Sequence, residues 1–332
     1  SIMKLPLTLH QYILQNQTQH ASGTFTSIMA DVALACRMTA SKLRSGNIEG
    51  LMAKGKTENA SGDSQVPLDI LANNIFLNLA QNNGNIVAMA SEELENIHYF
   101  ENTKSDKYIL VIDPLDGSGN LDINAPVATI FSICKNPSSS KPTENEVLDA
   151  SRRPVASGIC IYGLATTMVI TTGETVQGFT QDLESGVFFY THSNMKITNQ
   201  AKEVAINFSN KNFWNPAITK YINECFSGVE GPRNRYFNTR WYASAAAELN
   251  RILNRGGVFI YPACSNGKPQ GVLRKVYEAY PMAHLIEAAG GKATDGISRI
   301  LDIESGSLHE RTPFAMGTTE EIERIQRYHS EL

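Results

Sequence analysis

The sequence predicts an α/β protein with a mixed β-sheet on each side of a boundary near residue 195. Three observations carry that prediction. Segments of helical period and short apolar runs alternate irregularly, without the strict order of a Rossmann fold or barrel. Four strand-like runs, Gly158–Tyr162, Thr166–Thr171, Val176–Thr180 and Gly186–Tyr190, follow one another with Gly or Asp between most of them, as in an antiparallel meander. Around residue 195 the texture changes, and a second alternating region begins at Lys202–Ala205. The expected units are therefore 1–195 and 196–332.

Taken in order, residues 24–45 have helical spacing. Ile28, Val32 and Cys36 form an i, i+4 stripe, and Gly46 is a plausible stop. Asn47 to Pro67 is polar and Gly-containing, a loop of unusual length for a compact domain. A helix follows Pro67, with Asp69 in its first turn, where an acid also simply suits the helix dipole. Ile86–Ala90 reads as a buried strand running into Ser91-Glu92-Glu93, acids that would equally suit a solvated turn. Tyr108–Ile112 is a strand that stops at Asp113-Pro114, Ala128–Ile133 is another, and Asn136–Arg153 reads as a surface loop. Beyond 195, helices are expected over Pro216–Phe226, an Ala-rich stretch ending near Gly256-Gly257, Met282–Ala289 and Glu320–Tyr328. Strands are expected over Val258–Tyr261 and Val272–Tyr277, with Glu278 at the end of the latter.

Composition narrows the function classes. The chain has 332 residues, 42% hydrophobic and 19% charged, with net charge -4. A general nucleic-acid binder is more often basic, so that class is set aside. No apolar run approaches the ~18 residues that span a bilayer, and no signal-peptide core is evident. Five cysteines without a CxxC pair suggest reduced structural thiols and a cytoplasmic protein. No GxGxxG, Walker A or GxSxG motif is present, and the seven histidines lack metal-type spacing.

The chemistry concentrates in Val111-Ile-Asp-Pro-Leu-Asp-Gly-Ser-Gly-Asn120. Asp113 and Asp116 can offer oxygen to a hard cation. Gly117-Ser118-Gly119 can bring backbone N–H groups close to an anion. A metal site beside a phosphate cradle points to phosphoryl chemistry. Asp69, Glu92, Glu93 and Glu278 also stand at element ends, where active sites of α/β proteins collect. Converging carboxylates repel one another unless cations join them, and two or three Mg²⁺ would activate water and stabilise the leaving alkoxide. The Asp113-x-x-Asp116-Gly117 spacing fits neither an EF-hand loop nor an Asp-x-Asp phosphatase nucleophile.

Together these residues resemble class 1 fructose-1,6-bisphosphatase, within the lithium-sensitive Mg²⁺-dependent sugar and inositol phosphatases. The resemblance is carried by Asp113-Pro-Leu-Asp-Gly-Ser118, Ser91-Glu-Glu93, Leu68-Asp69, Tyr261-Pro262, Leu273-Arg274-x-x-Tyr277-Glu278, Pro281-Met-Ala283 and Glu287-Ala-Ala-Gly-Gly291. It runs from about residue 24 to about 328. It implies a layered αβαβα fold and hydrolysis of the 1-phosphate of fructose 1,6-bisphosphate in gluconeogenesis. Glu92, Asp113, Asp116, Glu278 and the Leu115 carbonyl would hold two or three Mg²⁺, with Mn²⁺ or Zn²⁺ as substitutes. Glu93 and Asp69 would orient and deprotonate the water. Asp116 and the Gly117-Ser118-Gly119 backbone would hold the 1-phosphate. Asn207, Arg240, Tyr261 and Arg274 would receive the sugar and its 6-phosphate, Arg240 reaching into a neighbouring subunit of a tetramer. The 47–67 segment would be a closing loop. An AMP inhibitor site would use Thr24, Thr26, Lys107 and Tyr108.

The departures cluster at one end. Gly119 stands where a second serine is usual, Val272 where a lysine is usual, Trp241 for a tyrosine and Tyr280 for an asparagine. All but the first bear on the distal end of the substrate, where Lys275 or Lys268 could stand in for the missing lysine. Sedoheptulose 1,7-bisphosphate is therefore the competing substrate.

Overall fold

The computed structural model describes residues 4–16, 23–49, 67–197 and 200–332. An eight-stranded sheet comprises β1 (Ile86–Ser91), β2 (His98–Tyr99), β3 (Tyr108–Asp116), β4 (Val127–Lys135), β5 (Ala156–Tyr162), β6 (Thr166–Thr171), β7 (Val176–Gln181) and β8 (Phe188–His192), in the order 2-1-3-4-5-6-7-8. Its β1–β3 pair is parallel and the other pairs are antiparallel, so the sheet is mixed. The second sheet uses β9 (Glu203–Ala205), β10 (Asn238–Thr239), β11 (Val258–Tyr261), β13 (Lys292–Thr294) and β15 (Phe314–Gly317), in the order 10-9-11-15-13. It too is mixed, with β9 parallel to β10 and β11. β12 (Leu273–Arg274) and β14 (Arg311–Thr312) form a separate two-stranded ribbon.

The helices are α1 (Leu9–Gln15), α2 (Gly23–Glu49), α3 (Pro67–Asn83), α4 (Glu144–Ala150), α5 (Pro216–Cys225), α6 (Ala245–Arg255), α7 (Tyr280–Ala288) and α8 (Thr319–Glu331). Strand alternation sorts them into layers. Leu110 and Ile112 of β3 face a core shared with Ile28, Val32 and Phe76 of α2 and α3. Ile109 and Val111 face the opposite way, into a core holding Leu249 and Ile252 of α6, Met282 and Ile286 of α7, and Phe259 and Phe314 of the second sheet. The far side of that sheet, through Val258 and Ile260, packs on Ile218 and Ile222 of α5 and Ile322 and Ile325 of α8. Five layers result, helix–sheet–helix–sheet–helix, as the resemblance implied. β1 and β3 are buried on both faces, which is why both read as unbroken apolar runs.

Several expectations need correction. α2 continues through Gly46 to Glu49, because a glycine weakens a packed helix without ending it. Of the expected 47–67 loop, residues 50–66 lie outside the described residues. The expected 136–153 loop contains α4, begun by a Thr143/Glu146 capping box that the Thr-x-x-Glu spacing signals. α1, β13, β14 and β15 were not foreseen. β3 does not stop at Asp113-Pro114, and the expected Val272–Tyr277 strand shrinks to β12 followed by a π-helical turn, Lys275–Ala279. None of the five buried cysteines is in a disulfide, and no helix among the described residues is long and apolar enough to cross a membrane.

Candidate active site

Asp113 and Asp116 lie within β3, on a bulge. Asp113 pairs with Ile130 and Asp116 with Ala128, so three steps along β3 match two along β4. Ile130 and Ala128 share a face of β4. Their two aspartate partners therefore share a face as well, which a regular strand would forbid at a spacing of three. Pro114, having no N–H to give the ladder, sits in the bulge where that lack is tolerated. The shared face is the one turned toward α6 and α7.

The parallel register of β1 and β3 brings the next acid alongside. Ser91 pairs with Ile112, and the Glu92 N–H donates to the Ile112 carbonyl at 3.2 Å, which sets Glu92 beside Asp113. Glu278 arrives from the other half of the chain on the π-helical turn, a form that recurs at functional sites. The Arg274 N–H donates to Glu278 Oε1 at 2.8 Å and fixes that carboxylate. One carboxylate oxygen from each of Glu92, Asp113 and Glu278 lies within 4.8 Å of the others.

Electrostatics mark the trio as incomplete. Burial raises the Asp113 carboxyl well above its usual range, and the Glu92 charge raises it further. Burial also raises Glu92, opposed by its hydrogen bond with Asp113, and lifts Glu278 to about 7. Asp113 Oδ1 accepts from the Leu115 N–H at 3.2 Å, while its buried Oδ2 has no donor facing it. Hard, crowded oxygen ligands with an unsatisfied buried oxygen suit a divalent cation.

Asp116 has a second task. Its Oδ2 accepts from Ser244 Oγ at 2.8 Å and from the Ala246 N–H at 3.1 Å. Ser244 is the N-cap of α6, so Asp116 ties the start of that helix to the first sheet. Burial raises Asp116 and those donors lower it. Asn120 reinforces the junction, donating to the carbonyls of Tyr242 at 2.8 Å and Pro126 at 2.9 Å. Gly117 has φ +77° and lies against Ser244, where an added Cβ would come within 2.7 Å of the serine Cβ. A Cβ at Gly119 would meet nothing within 4 Å, so the backbone does not require glycine there. Ser118 opens a 3₁₀ turn, Ser118–Ile123.

Asp69 is buried in the first turn of α3. One turn on, Asn73 Oδ1 accepts from Ser91 Oγ at 2.7 Å, which docks this end of α3 on the end of β1. Glu93 follows directly, its N–H donating to Ser91 Oγ at 3.2 Å. Both acids thus stand at the same end of β1 as Glu92.

A cavity of about 290 Å³ joins the acids to the second half of the chain, with Glu92, Asp116 and Glu278 in its wall. Asn207, Tyr261, Val272 and Arg274 line it as well, together with Lys268 and Arg311. Trp241 also lines it and stacks on Phe259 with ring centroids 5.8 Å apart. Arg240 stands apart: it is exposed, and its Nε donates to Glu203 at 3.0 Å. Lys107, Tyr108 and Lys135 meet at a separate cavity of about 500 Å³, whereas Thr24 and Thr26 occupy the first turns of α2. Phe25 between them lines a different, largely apolar cavity.

Sequence reasoning missed Ser244, Asn120 and Arg311. Ser244 had a signal, a serine opening an Ala-rich helix. Asn120 and Arg311 had none, because their roles depend on contacts more than thirty residues away in sequence.

Comparison with known proteins agrees with this geometry. Residues 7–193 match the family model for the N-terminal domain of fructose-1-6-bisphosphatase, and residues 197–330 match that for its C-terminal domain. The chain is 43% identical over 326 residues to a class 1 fructose-1,6-bisphosphatase of Methylobacillus flagellatus, covering 98% of both chains. It is 40% identical over 337 residues to another from Halorhodospira halophila, covering 99% of this chain and 100% of that one. Among solved structures, Leishmania major fructose-1,6-bisphosphatase in holo form is similar at TM-score 0.91 and 30% identity, over 98% of this chain and 100% of that one. The T-state form of the Leishmania enzyme is similar at TM-score 0.87 and 29% identity, over 99% and 100% of the two chains.

Proposed function

The chain belongs to the class 1 fructose-1,6-bisphosphatase family, and on that footing we propose that it hydrolyses the 1-phosphate of D-fructose 1,6-bisphosphate, giving fructose 6-phosphate and inorganic phosphate. The observation that carries the reading is the trio of Glu92, Asp113 and Glu278, assembled from both halves of the chain within 4.8 Å. Two or three Mg²⁺ held by Glu92, Asp113, Asp116, Glu278 and the Leu115 carbonyl, with Mn²⁺ or Zn²⁺ able to replace them, would neutralise the phosphoryl oxygens, acidify the attacking water and stabilise the leaving alkoxide.

The chain's own residues do the rest. Glu93 and Asp69, at the end of β1 and the start of α3, orient the water and take its proton. Water attacks phosphorus in line, the bond from phosphorus to the sugar C1 oxygen breaks, and the departing oxygen takes up a proton. Backbone N–H groups at Gly117-Ser118-Gly119 hold the phosphoryl group as its geometry inverts. Asn207, Tyr261 and Arg274 hold the sugar side in the shared cavity, and Arg240 serves a neighbouring subunit's site.

Around this core we place a homotetramer, AMP inhibition acting through Lys107 and Tyr108 with Thr24 and Thr26, two units divided near residue 195, and a cytoplasmic gluconeogenic role. The test is phosphate release from a panel of sugar phosphates by purified protein, with Mg²⁺ and with excess EDTA. Fastest turnover on fructose 1,6-bisphosphate, abolished by EDTA, is expected. Preference for sedoheptulose 1,7-bisphosphate, or activity in EDTA, would overturn the reading. Inhibition by millimolar AMP in the same assay tests the regulatory part.

A further inference from the structure

We propose that Lys268, assisted by Arg311, is the cation that grips the substrate's distal phosphate, so that this chain reads that phosphate from the Cys264–Lys268 hairpin. The inference rests on the function proposed above, which makes the substrate a bisphosphate. With one phosphate at the acid trio, the other must meet cations elsewhere in the same cavity, because phosphate is held by Lys and Arg and not by apolar walls.

The cavity contains few candidates. Val272 gives its wall an apolar side chain. Lys275 is spent elsewhere, its Nζ donating to the Glu304 carbonyl at 2.9 Å and the Glu310 carboxylate at 3.0 Å. Arg274 is already engaged, its N–H donating to Glu278 and its Nη1 to the His309 carbonyl at 2.6 Å. Arg240 is turned to Glu203, outside this wall. Lys268 remains. It lines the cavity, and no ion pair ties up its ammonium among the described residues.

Its backbone is nonetheless fixed. The Cys264 N–H donates to the Lys268 carbonyl at 2.9 Å and the Lys268 N–H returns to the Cys264 carbonyl at 3.1 Å, closing a tight hairpin through Gly267 at φ +92°. The Gly271 N–H adds a third bond to the Lys268 carbonyl at 3.1 Å. A rigid backbone carrying a long, unpaired cation can meet a phosphate with little reordering of the chain. Arg311 supplies the fixed partner. Its Nη1 donates to the Val272 carbonyl at 2.9 Å, which holds a guanidinium beside an apolar side chain of the cavity wall.

The test separates this inference from the reaction. Binding of fructose 6-phosphate, which keeps only the distal phosphate, is measured by calorimetry on wild type, Lys268→Met, Lys268→Arg and the double variant Lys268→Met/Val272→Lys. Loss of one charge-assisted contact should weaken Lys268→Met about tenfold. Lys268→Arg should stay within about threefold of wild type, and Val272→Lys should recover most of the loss. In turnover, Lys268→Met should raise KM for fructose 1,6-bisphosphate about tenfold with kcat within about twofold. Equal affinity of wild type and Lys268→Met for fructose 6-phosphate, or no binding by wild type, would overturn the inference. Weakened binding together with no phosphate release by wild type would overturn the proposed reaction and leave the subsite standing.

Discussion

The acid end of the cavity and its cationic end are built by different means. At the acid end, Glu92, Asp113 and Asp116 are set by hydrogen-bonded ladders that bury both faces of β1 and β3. Each carboxylate position follows from strand register, and one extra residue in a bulge aligns two of them. At the cationic end, Lys268 stands on a hairpin and Arg311 on a two-residue strand. Groups of the first kind cannot be displaced without disturbing a sheet. Those of the second kind can be exchanged, as Val272 illustrates. On the function proposed above, reaction chemistry falls on the rigid part and substrate choice on the adjustable part.

The largest effect that would test this contrast is at Asp113. Asp113→Asn keeps the volume and relieves crowding among buried acids, so the fold should hold, and its Tm should match or exceed that of wild type without metal. Turnover should fall by about a thousandfold or more, the scale on which a charge-stabilising group acts. Substantial turnover in the variant would break the assignment of the acid end. Asp116 is a worse probe, because Asp116→Ala also removes the acceptor at the start of α6 and would cost roughly 1–3 kcal/mol of stability.

Gly117→Ala comes next. The backbone there is left-handed and the new methyl would lie 2.7 Å from the Ser244 Cβ. Strain and overpacking together should cost about 2–4 kcal/mol, read as a lower midpoint of denaturant unfolding, with kcat falling alongside. Gly119→Ser has room and should be close to neutral in stability. A large loss at Gly119 and none at Gly117 would invert the account of the turn.

A third prediction concerns the layer on which both ends rest. His284 of α7 hydrogen-bonds Ser157 of β5 at 2.8 Å, and burial depresses its pKa to about 4. A histidine depressed in the folded state favours the fold above its unfolded pKa, near 6.5, and loses that contribution as pH falls toward 4. Stability should therefore drop by roughly 2 kcal/mol between pH 7 and pH 4.5 from this group alone. His284→Gln should be less stable at pH 7 but flatter across that range. An equal slope in both proteins would remove His284 from the account.

How much of this was legible depends on where each signal lies. The acid motif was readable because its residues are contiguous, Ser91–Glu93 and Asp113–Ser118, and each group closes an apolar run. The five layers followed from the resemblance, and the two mixed sheets from the alternating runs. The bulge was not readable, since a spacing of three looks like a turn beyond a strand until β4 is seen to pair across it. Glu278 was recognised, but its π-helical seat was not, because five residues of mixed polarity have no period to detect. Lys268 and Arg311 meet in one cavity from 43 residues apart, and no local pattern encodes that.

The smallest effect is at Arg240, and it can decide whether the cationic end belongs to one chain. Arg240 is exposed and held by Glu203, whose charge Arg251 and Arg255 also balance, so Arg240→Gln leaves that carboxylate with two partners and should barely alter Tm. If Arg240 serves a neighbour's site, the variant should raise KM about tenfold with little change in kcat. Mixing it with Asp113→Asn chains then gives a distinctive result. In a mixed pair, the site with intact acids receives Arg240 from its partner and regains normal affinity, while the other site is dead. An equimolar mixture allowed to exchange subunits should therefore contain about a quarter of its sites in the restored form, seen as a new low-KM component. If Arg240 acted within its own chain, no mixture could bring it together with intact acids, and only the weakened KM would be observed.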